Sequence, residues 1–136
     1  MELGERKPIV LPPKRGRSYD CGPMRAVFKA DGAETRDRYS VSEWWLKPNS
    51  EGPGAHSHDE NDELFFIIEG QPSVLIGETW HESPAGSFLL IPARTIHDFE
   101  NRTTSPAGLL NVFIPGGFEA NMAAIVEWFH RSTDAR

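Results

Sequence analysis

Three imidazoles and one carboxylate, His56, His58, Glu63 and His97, constrain this chain more than any other feature. Side chains two apart on a β-strand point to the same face. His56 and His58 can therefore aim inward together from one strand. The acidic turn Asp59-Glu60-Asn61-Asp62 can then bring Glu63 back beside them, and His97 arrives from a second, distant hairpin. A β-barrel can gather four such groups around one ion. Three neutral nitrogens and a carboxylate suit Fe, Mn, Ni, Cu, Co or Zn as the divalent ion. Glu63 has two readings, a ligand or a base that takes a proton from substrate.

The rest of the sequence reads as strands with a helical tail. Met24–Ala30, Tyr39–Leu46, Leu64–Ile68, Phe88–Ile91 and Leu109–Ile114 are strand candidates, and 73–76 with 79–82 form a hairpin across Gly77-Glu78. In 39–46, Val41, Glu43 and Trp45 share one face, and Ser42, Trp44 and Leu46 the other. Apolar side chains thus fall on both faces of 39–46, so its outer face must meet another layer or subunit; Leu64–Ile68 and Phe88–Ile91 are likewise apolar on both faces. Phe66 is expected to be buried. By alternation Trp45, Phe65, Ile67, Phe88 and Leu90 are candidates to line a ligand cavity, with Arg94 at the barrel mouth to meet a carboxylate or enolate. Phe118, Met122, Ile125, Val126 and Phe129 recur at helical spacing. The expected helix, 117–131, packs on the outside of the barrel with Trp128 partly exposed. Residues 1–22, rich in Pro, Gly and basic residues, read as an extended arm with a short strand at Ile9–Leu11. Residues 23–136 form the single domain.

Composition excludes several classes. A chain of 136 residues makes one domain with a core. A net charge of −6 argues against a nucleic-acid partner. No apolar run of about 18 residues is present to span a membrane, and the N-terminus lacks the apolar stretch of a signal peptide. The single cysteine, Cys21, excludes an intrachain disulfide. A cytoplasmic setting is the expectation. His81 and His130 stand outside the constellation and read as surface or structural residues.

The same residues carry a resemblance. His56-x-His58-x4-Glu63-x6-Gly70 resembles the first cupin motif, whose opening glycine is displaced here to Gly52 or Gly54, with Ser at position 50. Gly86-x5-Pro92-x-Arg94-x2-His97-x3-Asn101 resembles the second, with Arg94 where the motif has glycine. The segment Asn111–Glu119 and the run Val41–Trp45 are similar to quercetin 2,3-dioxygenase-like cupins. The resemblance implies a mainly β, double-stranded β-helix (jelly-roll) barrel, one divalent transition metal, a small-molecule ligand and a homodimer. It points to a metal-dependent dioxygenase acting on an enolic or aromatic substrate. A metal-dependent isomerase, decarboxylase or lyase, and a non-catalytic small-molecule-binding module, are the alternatives.

Overall fold

A computed structural model describes residues 6–134. Among these described residues nine strands form two sheets: β1 (Arg17–Asp20), β2 (Met24–Ala30), β3 (Ser40–Leu46), β4 (Asp62–Glu69), β5 (Ser73–Ile76), β6 (Thr79–Glu82), β7 (Phe88–Ile91), β8 (His97–Glu100) and β9 (Ala107–Ile114). The larger sheet runs β1-β2-β3-β9-β4-β7 and the smaller β6-β5-β8, all neighbours antiparallel. This is the jelly-roll architecture expected. A 3-10 turn (Phe118–Asn121) leads into the helix α1 (Met122–Asp134).

Strict alternation builds the core. In β3 Ser40, Ser42, Trp44 and Leu46 are buried, and Val41, Glu43 and Trp45 face outward. In β4 the buried set is Glu63, Phe65 and Ile67; in β7 it is Leu89 and Ile91. The sheets meet through aromatic edges: Phe99 of β8 stands T-shaped to Phe65 (5.6 Å) and Trp44 (6.0 Å). Such contacts add to the burial of the rings themselves.

Several expectations are corrected here. Ile9–Leu11 is not a strand; the first strand, β1, lies inside the stretch read as arm. Residues 1–5 of that arm lie outside the described residues. Phe66 is 46% exposed. It pairs across the sheet with Phe88 on the outer face, because Phe65 next to it takes the inner one. The helix packs outside the barrel as expected, with Trp128 45% exposed. Its Met122 and Phe129 join the core, and Ile125, Trp128 and Phe129 line the cavity described below. Asp31 fastens the start of this segment. Its carboxylate, 3% exposed, accepts hydrogen bonds from the backbone N–H groups of Gly117 (2.7 Å), Glu119 (2.8 Å) and Gly32 (2.8 Å). Arg17 and Tyr19 of β1 then hold Glu119 by its side chain. No helix among the described residues is long and apolar enough to cross a membrane.

Candidate metal centre

The four sequence-predicted ligands meet at one point. One ligand atom each from His56, His58, Glu63 and His97 lie within 4.8 Å of one another. Glu63 projects inward from β4, and His97 opens β8. His56 and His58 sit on the loop before β4, not on a strand as expected. An isolated antiparallel bridge holds that loop: the His56 N–H donates to the His97 carbonyl (3.0 Å) and the His97 N–H to the His56 carbonyl (2.8 Å). A second backbone bond, from the Arg94 N–H to the His58 carbonyl (2.7 Å), fixes the other end of the pair.

Arg94 reaches that position with φ 70°, in the left-handed region where glycine is at ease. The departure from the glycine of the motif has thus changed the side chain and kept the turn. Gly52, by contrast, is required by space. A Cβ there would lie 1.7 Å from the Phe99 carbonyl oxygen.

Ring tautomers are set by the backbone. His56 Nδ1 donates to the Gly54 carbonyl (2.7 Å) and His97 Nδ1 to the Thr95 carbonyl (2.9 Å). A carbonyl only accepts, so both Nδ1 atoms carry the proton and both Nε2 lone pairs are free to ligate. Asn111, inward from β9, donates to Glu63 Oε1 (3.2 Å) and leaves Oε2 facing the histidines. Oε2 contacts His97 Nε2 and lies 3.7 Å from His58 Nε2. Burial pushes the His58 imidazole below its ordinary pKa, against the pull of Glu63. Burial also acts to lower His97, but the adjacent Glu63 carboxylate outweighs it, and His97 is raised.

The donor set passes a direct test of fit to a metal. Three buried polar atoms, His58 Nε2, Glu63 Oε2 and His97 Nε2, have no hydrogen-bond partner. Orphaned buried polar atoms are costly and rare, and here they converge. Bonds of about 2.0–2.2 Å to a central ion would satisfy all three, with His56 as the fourth ligand.

Above the cluster lies a cavity of about 540 Å³. Trp44, Phe65 and Phe99 line it from the sheets, and Phe118, Ile125, Trp128 and Phe129 from the C-terminal segment. Of the wall residues expected from the sequence, Phe65 is in place. Ile67 is buried in the core and does not line the cavity. Trp45 faces outward under the Lys14 ammonium, 4.5 Å from its ring. Trp44, its neighbour with opposite phase, takes the inner position. Phe88 and Leu90 lie on the outer face, because Leu89 and Ile91 turn inward. Arg94 does not line the cavity; its Nε approaches the Asp59 carbonyl (3.4 Å). The polar groups near the helix are Asn121 and Arg131. Sequence reasoning missed Asn111 and the helical wall. Alternation within Leu109–Ile114 could have found the former. His81 and His130 are exposed and outside the site, as expected.

A jelly-roll barrel with a three-histidine, one-carboxylate cluster at the base of an apolar cavity defines a class: small β-barrel proteins with a cluster of metal-ligating side chains inside the barrel. Residues 42–113 match the family described as Cupin domain, and the chain belongs to that family. Solved structures agree on the fold. An RmlC-like cupin from Shewanella frigidimarina is 15% identical, with TM-score 0.68 over 81% of this chain and 93% of that one. KdgF from a Halomonas species is 13% identical, with TM-score 0.63 over 73% and 86%. A cupin protein from Bacteroides fragilis is 28% identical, with TM-score 0.54 over 58% and 67%. No curated protein matches the chain.

Proposed function

We propose that this chain binds one divalent transition metal through His56, His58, Glu63 and His97 and acts on a compact enolic or phenolic substrate, as a dioxygenase. The observation that carries this reading is the convergence of unpartnered buried donors beneath an aromatic-walled cavity. A bound ion would supply Lewis acidity and, if redox-active, a meeting place for substrate and dioxygen. The chain's own residues do the rest. The rings of Trp44, Phe65, Phe99 and Phe118 orient a flat substrate and exclude water. The backbone carbonyls of Gly54 and Thr95 hold two imidazoles in the ligating tautomer. Asn111 steadies Oε1 of Glu63, so that Oε2 alone faces the centre.

That last feature also favours a second reading. A carboxylate held by one oxygen, with the other buried and unpaired, suits a base that removes a proton from substrate. Isomerase, decarboxylase or lyase chemistry would use it without dioxygen.

The test has two stages. Purified protein should carry close to one equivalent of transition metal by elemental analysis, and His97→Ala should carry far less while its barrel stays folded. Equal metal in both would refute the ligand role. Oxygen uptake should then exceed that of His58→Ala across a panel of enols and phenols. Anaerobic turnover instead would select the second reading, and ligand binding with no product would leave a binding module.

A further inference from the structure

Asp98 is a buried carboxylate outside the donor set. It follows the ligand His97 in β8, where His97 turns to the cluster and Phe99 to the core. Alternation sends Asp98 to the other face of the sheet, where a carboxylate would ordinarily meet water. It is instead 7% exposed. The cover is the glycine loop ahead of His56: a Cβ on Gly52 would stand 3.1 Å from Asp98 Oδ1. That oxygen accepts the backbone N–H groups of Gly54 (3.1 Å) and Phe99 (2.8 Å).

The loop has little else to hold it. Antiparallel bridges fix its ends, Ser50 to Asn101 and His56 to His97. Between them, among the described residues, no backbone group of 52–55 bonds to backbone outside the loop. The bond from Gly54 to Asp98 is the tie there. Gly54 is also the residue whose carbonyl accepts the His56 Nδ1 proton, at 2.7 Å. Its φ of 95° is a conformation that glycine adopts freely, so the residue does not enforce it. Released from Asp98, Gly54 could turn its carbonyl away from the ring. We infer that Asp98 is a positioning residue for the ligand His56. By holding the Gly54 N–H it aims the Gly54 carbonyl at His56 Nδ1, and so keeps Nε2 unprotonated and facing the centre. This role rests on the metal-binding reading proposed above. His56 and Asp98 thus act as a pair across the His56–His97 bridge, joined through one glycine.

Two measurements on the full chain test this. The first needs no metal: nitrogen NMR of the imidazoles in metal-free protein at about pH 8, above the ordinary histidine range. The native His56 ring should carry its proton on Nδ1. Asp98→Ala should lose that preference, and Asp98→Asn, which keeps the Oδ1 acceptor, should retain it. The second is cobalt(II) affinity by competition with a chelator. Asp98→Ala should bind about 10–100-fold more weakly, with Asp98→Asn close to native. In a His56→Ala background Asp98→Ala should change the affinity by less than about twofold, because the ring it positions is gone. A merely structural role would weaken both backgrounds alike. Should the alanine variant misfold, Asp98→Leu, of similar shape and without an acceptor, makes the same measurements. A native tautomer in Asp98→Ala, or equal weakening in the two backgrounds, overturns the inference. A native chain that takes up no cobalt refutes the metal-binding reading, and the His56 tautomer then decides the role of Asp98 by itself.

Discussion

Replacing Asp31 by alanine should loosen the wall of the cavity before it unfolds the barrel. Asp31 is 3% exposed and accepts three backbone N–H groups, two of them from Gly117 and Glu119 across the chain. Alanine leaves those two donors without a partner at the entry to α1. A lost capping side chain costs about 1 kcal/mol, and a buried donor left unpaired costs about 1–3 kcal/mol. The carboxylate also suffers from its own burial, which is the largest influence on its pKa, so the net loss is about 3 kcal/mol. For a domain of this size that is a fall in Tm of about 10 °C. Asparagine keeps one acceptor and should fall about half as far.

The backbone hydrogen bonds outweigh the cost of burial and hold the Asp31 carboxyl below its ordinary value of 3.8. A depressed carboxyl stabilises the fold above its unfolded pKa, and that contribution is lost as pH falls through the folded one. The gap in stability between native protein and Asp31→Ala should be constant above about pH 5 and close as pH falls below about 3.8. Hydrogen exchange locates the effect. Amides of Met122–Arg131 should exchange faster in the variant while those of β3, β4 and β9 keep their protection. A variant melting within about 2 °C of the native chain, or one whose barrel and helix amides accelerate together, would refute the anchoring role.

Two further predictions concern positions that sequence reasoning placed differently. Phe65→Ala removes a ring that is 1% exposed and T-shaped to Phe99, and should cost about 3–5 kcal/mol by chemical denaturation. Phe66→Ala, which removes a half-exposed ring on the outer face, should cost less than about 1 kcal/mol; comparable losses would mean that the strand's phase is misjudged. Arg94→Gly should raise stability by about 1 kcal/mol, since it removes a positive-φ penalty and keeps the N–H bonded to His58. A lower melting temperature would show that the arginine side chain does more than occupy a turn.

The ligand set was legible in the linear chain because metal ligation depends on a few residue types at fixed spacing. His56, His58, Glu63 and His97 converge as the motif spacing implies. The strands were legible too, since period-two patterning is local. Local patterning did not decide phase. Trp44 and Trp45 are identical side chains on opposite faces, and only pairing with β2 and β9 sends the first inward. The same holds in β7, where four consecutive apolar residues permit either choice. Nor could the helical period of the tail say where the helix docks. That depends on Asp31 and Arg17, which lie 88 and 102 residues from the Glu119 they hold. Residue type and spacing determined the fold class and the donor atoms, because both act over a few bonds or through a motif. The tertiary structure alone decided which aromatic rings enclose those donors, because burial on a two-sided strand is settled by its partners.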